Sequence, residues 1–379
     1  MAIFVTGATG YIGSYIVAGL LAKSDERLAL LVRAPDKARA AERLWRSLQL
    51  HLGFAEFEAA LADRFELFLG DLTQPGLGLD ATEQARLVAM MGSVIHCAAS
   101  LNRKSAKACF NVNLRGTLHL LKLARAAAEG HGLRRFSDIS TVAVAGHRRH
   151  ELVLETDMID WSRSDYDPYA RTKKFCETMV HELLPDVPIT VFRPSIVLGD
   201  SRRPETTQFD MVQAFVFLAR LPFVPFRPEW RSDIVPADFV GDAVVDIHLK
   251  DAPRYDAYNL SAGGAAHSYR DIVGSLHESG LRKPWFWPFM ERPFGLTVDA
   301  LAATPRSLGV AGSASLLKVF YPYLTFDTVF DNARVVEELG RAPERFCDYA
   351  YGLFRFALDG DFRYPYEGWP EGARPEKVA

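Results

Sequence analysis

Ile3-Phe4-Val5-Thr6-Gly7-Ala8-Thr9-Gly10-Tyr11-Ile12-Gly13 is the stretch that decides the fold of this chain. β-Favouring residues run straight into three glycines, and an apolar helical run, Tyr15 to Leu21, follows. A strand, a tight glycine turn and a helix N-terminus together make a cradle for a pyrophosphate. Backbone N–H groups point at the anion, the helix dipole favours its charge, and glycine permits close approach. Glycine spacing alone is a weak signal, because glycine punctuates turns in many folds. Here the flanking strand and helix supply the context the motif requires. Gly7, Thr9, Gly10, Tyr11, Ile12 and Gly13 are the candidate pyrophosphate contacts of a dinucleotide site.

The next elements extend that reading. Arg27 to Arg33 is a second apolar strand, and its end should meet the adenosine ribose. An acidic side chain there would bond a 2′-hydroxyl; this chain has Arg33, with Lys37, Arg39 and Arg43 on the helix beyond. Guanidinium groups suit a 2′-phosphate, so Arg33 and Arg43 point to NADPH, while Lys37 and Arg39 read as solvated helix charges. Residues 36–62 read as helical, with Gly53 marking an end. Phe65 to Leu69 is a third strand running into Gly70-Asp71-Leu72, where Asp71 either meets the adenine or caps the turn. After a helix over 81–90, Ser93 to Ser100 is a fourth strand ending in small residues. Ala98 there leaves room for the dinucleotide, and His96 is expected to be buried and hydrogen-bonded.

An amphipathic helix over Asn111 to Ala128, with Asn113 near its start, precedes a fifth strand, Arg135 to Thr141. Alternating strands and helices imply a doubly wound parallel sheet of Rossmann type, whose ligands bind outside the strands' carboxyl ends. Ser140 and Thr141 should therefore face the same crevice as the glycine turn. Asp167-Pro168-Tyr169-Ala170-Arg171-Thr172-Lys173 then opens a helix, with Pro168 in its first turn and Tyr169 and Lys173 on one face. Pro188 to Arg193 is a sixth strand, ending in Pro194-Ser195. From Leu198 to Arg231 the pattern changes, with an aromatic helix over Phe209 to Leu218. Asp233 to Val240 leads back to the sheet and to a strand over Ala257 to Leu260. The expected organisation is a dinucleotide domain, 1–200 with 233–262 returning to it, and a smaller, mostly helical C-terminal substrate-binding subdomain, 201–232 and 263–379. The last ten residues are expected to fray.

The chain has 379 residues, 49% apolar and 24% charged, with a formal charge of −3. That balance argues against a nucleic-acid partner, which would ask for a basic excess. Four cysteines without CxxC spacing read as thiols, with no metal site among them. No leader precedes the first strand and no apolar run is long enough for an integral membrane segment, so a cytoplasmic protein is expected, as monomer or homodimer.

Hydride reduction of a carbonyl leaves charge on oxygen, and that oxygen needs a proton. A free tyrosine titrates near about 10, too high for easy exchange at neutral pH. Lys173 beside Tyr169 would favour the phenolate and bond the nicotinamide ribose, and Thr141 would hydrogen-bond the carbonyl oxygen. A Tyr-x-x-x-Lys pair alone is weak, but the order of glycine turn, Ser-Thr strand end and Tyr/Lys pair is specific.

With these residues the chain resembles the extended short-chain dehydrogenases/reductases over about residues 2–262. The resemblance implies that Thr141, Tyr169 and Lys173 are catalytic, that Asn113 supports the lysine through a water, and that Pro194 and Ser195 lie near the nicotinamide. Leu31-Val32-Arg33-Ala34 with Arg43, Gly70 to Pro75, and Arg193-Pro194-Ser195-Ile196-Val197-Leu198-Gly199-Asp200 are most similar to the fatty acyl-CoA reductase and thioester reductase branch. That branch implies NADPH-dependent reduction of an acyl thioester, on coenzyme A or an acyl carrier protein, to an aldehyde or onward to the alcohol. Ala145 before Gly146 argues against the sugar-nucleotide epimerase branch, where a tyrosine stands. The alternatives are a ketone reductase or hydroxyl dehydrogenase, and a non-catalytic dinucleotide sensor. The aromatic C-terminal third suits an acyl tunnel lined by Trp285, Phe286, Trp287 and Phe289, or a plain hydrophobic core, or less readily a membrane-docking patch.

Overall fold

A computed structural model describes residues 1–278, 280–302, 317–318, 321 and 323–370. The expected strands form one parallel sheet: β1 (Ala2–Thr6), β2 (Arg27–Val32), β3 (Phe65–Leu69), β4 (Met91–His96), β5 (Phe136–Ile139), β6 (Ile189–Pro194) and β7 (Ala257–Leu260). Their spatial order is β7-β6-β5-β4-β1-β2-β3. Every pairing is parallel, for example Phe4 beside Ala29 on one side and beside Val94 on the other. Strand order reverses between β1 and β4, and such a reversal opens a crevice at the carboxyl ends.

Apolar strands buried on both faces need a helical layer on each. One layer packs Ile16, Val17, Leu20, Leu44, Phe57, Val240 and Val244 against Ile3, Val5, Leu28 and Leu30. The other packs Leu87, Leu120, Leu121, Ala124 and Val180 against Phe4, Ala29, Val94 and Phe136. A third apolar cluster lies apart from both: Met211, Val212, Phe215, Trp230, Tyr269, Ile272, Tyr349, Leu353 and Phe354 meet as the core of a cap. Its helices are Asp210–Arg220, Tyr269–Glu278 and Phe346–Asp359.

Several boundaries differ from the sequence expectation for local reasons. Residues 36–62 form two helices, Lys37–Leu48 and Phe54–Asp63, parted at Gly53. The fourth strand ends at His96, because Ala98 N turns to donate to Thr6 Oγ1 and Ser100 N to Asn113 Oδ1. The helix expected from Asn111 begins as a wide turn, Phe110–Arg115, and becomes regular over Gly116–His131. The C-terminal third also leaves the cap. The helix Ala333–Leu339 lays Val335 in the sheet's core, and Trp369 sets its ring edge-on to Phe54. The expected fraying of the last ten residues falls, from 371 onward, outside the described residues.

Candidate active site

The crevice at the β1/β4 reversal opens into a cavity of about 1590 Å³. Gly7, Thr9, Gly10, Tyr11, Ile12, Gly13, Arg33, Arg43, Asp71, Leu72, Ala98, Thr141, Tyr169, Lys173, Pro194 and Ser195 all line it. Of the catalytic and cofactor-binding candidates read from the sequence, Asn113 stands apart. It is buried behind the wall, donating to Thr172 Oγ1 (3.1 Å) and Ser100 O (3.2 Å) and accepting from Ser100 N (2.7 Å). Asn113 thus ties the loop after β4 to the helix that carries Tyr169 and Lys173.

The glycine turn is shaped by exclusion. Gly7 has φ +79°, and a Cβ there would stand 2.6 Å from Ala98 N. A Cβ on Gly13 would stand 2.0 Å from Gly7 O. Gly10 N donates to Gly7 O at 2.9 Å, and the helix Tyr11–Lys23 starts with no side-chain cap and no acidic residue in its first turn. Its N-terminal donors are left for an anion, so the residues present fit a pyrophosphate. Below the turn, His96 bridges Thr6 Oγ1 (2.7 Å) and Thr117 Oγ1 (2.9 Å), and burial, with Lys173 nearby, drives its pKa down to about 3. It is a neutral structural group, as expected.

At the β2/β3 end of the cavity Asp71 does two things. It caps its own turn, accepting from Thr73 N and Oγ1 at 2.8 Å each, and it faces the cavity with Arg33 3.7 Å away. Arg43 donates to Arg33 O. Arg39 is spent on Glu42 at 2.6 Å, in line with a solvated helix charge.

At the other end, Asp167 caps the helix Pro168–Leu183, accepting from Ala170 N at 2.8 Å, and so fixes the first turn that carries Tyr169. Tyr169, Lys173 and Thr141 are all buried. The sequence reading has Lys173 lowering the tyrosine. In the structure burial outweighs it: desolvation pushes the Tyr169 phenol up, against the pull of Lys173, Arg103 and Thr141. The raised phenol keeps its proton at neutral pH. Burial would lower the Lys173 ammonium, but Asp138, aided by Cys176, Tyr169 and Cys97, holds it up to about 12. Lys173 Nζ donates to Ile139 O at 2.5 Å and lies 3.7 Å from Asp138 Oδ1.

Asp138, Arg103 and Tyr323 were missed from the sequence. Asp138 is wholly buried mid-strand, and among the described residues its oxygens meet the Lys173 ammonium at 3.7 Å but accept no closer hydrogen bond; an acid inside an otherwise buried strand was the available signal. Arg103 lies 3.3 Å from Asp167, with its guanidinium 5.3 Å from the centre of the Tyr169 ring and 5.0 Å from that of Tyr323. Tyr323 donates to Asp167 Oδ2 at 2.9 Å. Arg103 and Tyr323 come from segments distant in the chain, and no local pattern announces their meeting.

The expected tunnel lining needs correction. Trp285 and Phe289 are 73% and 75% exposed, Trp287 is 43% exposed and stacks on Phe223, and neither they nor Phe286 reach the cavity. The short strand Trp285–Phe286 pairs with Phe223–Val224 on the outer side of the cap. The aromatic wall is made instead by Phe209, Tyr323, Phe326, Phe330 and Phe362.

A doubly wound parallel sheet with this glycine turn at its crevice is a domain of the NAD-binding kind. More particularly, the model of the family described as male sterility protein matches residues 5–244, and the chain belongs to that family. Similar proteins include the nonribosomal peptide synthetase asaC of Aspergillus flavus, 30% identical over 258 residues that cover 65% of this chain and 24% of that protein. Aldehyde reductase lnaA of the same species is 27% identical over 257 residues, again 65% of this chain and 24% of that protein. The chain thus spans about a quarter of the length of these two relatives. In fold, it is similar to the terminal R domain from the myxalamid PKS-NRPS biosynthetic pathway, with a TM-score of 0.81 at 22% identity, covering 97% of this chain and 92% of that one. Among the described residues no helix is long and apolar enough to cross a membrane.

Proposed function

We propose that the chain is an NADPH-dependent reductase that converts an acyl thioester to an aldehyde, with a second round taking the aldehyde to the alcohol. One observation carries this reading: Thr141, Tyr169 and Lys173 share a single cavity with the glycine turn. The printed names of the relatives, a nonribosomal peptide synthetase and an aldehyde reductase, support it. The thioester would arrive on coenzyme A or on a carrier protein, both of which present a pantetheine arm. The cap around Met211, Trp230 and Tyr349 serves as the substrate-binding subdomain. Free Cys97, Cys109, Cys176 and Cys347 suit a reducing, cytoplasmic setting.

The glycine turn would hold the pyrophosphate, Arg33 and Arg43 a 2′-phosphate, Asp71 and Leu72 the adenine side, and Ala98, Pro194 and Ser195 the nicotinamide side. When bound, the dinucleotide supplies a hydride to the substrate's carbonyl carbon. Thr141 donates a hydrogen bond to the carbonyl oxygen and stabilises the charge that grows there. Tyr169, kept neutral by burial, gives that oxygen its proton. Lys173 lies one helical turn from the phenol, where its ammonium stabilises the tyrosinate left behind and bonds the ribose. The resulting hemithioacetal breaks its C–S bond to yield the aldehyde, and the sulfur leaves as the thiol with the hydroxyl proton. Asn113 holds the helix and loop in register through Thr172 and Ser100.

NADPH oxidation followed with a panel of acyl-CoA esters, carrier-bound thioesters and aldehydes tests the proposal. Turnover on a thioester, lost in Tyr169→Phe, is expected. Absence of turnover on every thioester would overturn the reading, and alcohol-dependent reduction of NADP⁺ alone would replace it with a hydroxyl dehydrogenase.

A further inference from the structure

The C-terminal stretch after the last cap helix runs back across the molecule to the adenosine end of the cavity. It is clamped there. Gln49 Nε2 donates to Glu367 O and Glu367 N donates to Gln49 Oε1, both at 2.8 Å. Trp45 Nε1 donates to Gly368 O at 3.3 Å, and Trp369 packs edge-on to Phe54 at 5.1 Å. This strap lays the Tyr366 ring under a guanidinium, Arg46 Cζ standing 3.9 Å from the ring centre. Arg46, Ser47 and Tyr366 line the cavity together with Arg33 and Arg43.

Arg43, Arg46 and Ser47 sit at i, i+3 and i+4 on one face of the helix Lys37–Leu48. Among the described residues, neither Arg43 nor Arg46 is paired with a carboxylate, whereas Arg33 faces Asp71 and Arg39 faces Glu42. The distinction matters electrostatically. A carboxylate orients a guanidinium but cancels its charge; an aromatic face orients it and leaves the charge available to an anion.

From this geometry we infer that Arg46, held by Tyr366 of the C-terminal strap, is a further specificity-determining residue for the 2′-phosphate of the dinucleotide. The inference rests on the NADPH reading above. Arg33 is largely exposed and shared with Asp71, so Arg46, beside Arg43, supplies uncompensated charge. The strap, contributed by the chain beyond the cap, fixes its direction.

The test is calorimetric binding of NADPH, NADH, 2′,5′-ADP and 5′-ADP to the full chain. Arg46→Ala should weaken NADPH and 2′,5′-ADP by about tenfold or more, the effect of one lost charge-assisted contact, with NADH and 5′-ADP within about twofold. Tyr366→Leu should give a smaller loss of the same selective kind, and Tyr366→Phe, which keeps the ring, should bind as the parent does. Melting temperatures of the three variants separate a local effect from unfolding. Equal weakening of phosphorylated and unphosphorylated ligands, or unchanged binding in Arg46→Ala, would overturn the inference. If the parent chain binds NADPH and NADH equally, the NADPH reading itself falls. If the parent prefers NADPH and Arg46→Ala keeps that preference, only the role of Arg46 falls.

Discussion

The sheet side and the cap side of the cavity were written in different ways. On the sheet side, the glycine turn, Arg33, Asp71, Ala98, Thr141 and Pro194 stand at or just beyond strand ends, so a few local positions specify where those side chains point. On the cap side, aromatic density in the chain is a poor guide. Trp285 and Phe289 lie on the outer surface, while Tyr323, Phe326 and Phe330, in and just after a second aromatic-rich stretch, face the cavity. Local geometry decides the first wall, and long-range packing decides the second.

The sharpest way to break this comparison is at the Tyr169 phenol. Tyr169→Phe removes the proton donor without changing the wall, and kcat should fall by about 10²–10⁴-fold with dinucleotide affinity unchanged. Weakened binding in a calorimetric titration would instead make the residue part of the cradle. Next in size, Arg33→Ala should weaken NADPH about tenfold and leave NADH alone, since it would remove one charge-assisted contact.

Acidity sharpens the same side. Because burial raises the Tyr169 phenol, its protonated, donating form persists above the ordinary tyrosine value of about 10, and the rate should decline only as pH rises through the raised pKa. Asp138→Asn removes the negative charge that holds Lys173 up to about 12. The ammonium should then lose its proton at lower pH, shifting the alkaline limb of kcat/KM acidward. A pH–rate profile that keeps its limb would reduce Asp138 to a structural role.

The cap gives the smallest effects, and they differ in kind. Phe326→Ala, in the cavity wall, should raise KM for a long acyl substrate severalfold with little change for a short one, as expected when buried apolar surface is lost. Trp285→Ala, on the outer face, should leave KM for either substrate within about twofold. A chain-length-dependent KM in the Trp285 variant would return that tryptophan to the substrate path.

Much of the site was legible before any coordinates. The glycine turn, Arg33, Thr141, Tyr169 and Lys173 converge because a parallel sheet brings all its strand ends to one edge. The unread part has a physical reason in each case. Arg103, Tyr323 and Tyr366 reach the cavity from segments far apart in the chain, whose course is set by long-range contacts such as that between Gln49 and Glu367. Asp138 was visible as an acid in a buried strand, but its partner was not. The direction of the Tyr169 shift was also beyond reach, because desolvation is a property of everything packed around the phenol rather than of the lysine one turn away.

What the amino-acid sequence alone determined was the dinucleotide crevice and the order of its chemical groups. Period, turn glycines and strand ends are short-range features that one segment can encode by itself. Tertiary structure alone decided which aromatic residues face the cavity, which guanidinium keeps its charge free, and which way the phenol titrates. Each of those depends on what surrounds a side chain, and that is set only when distant segments meet.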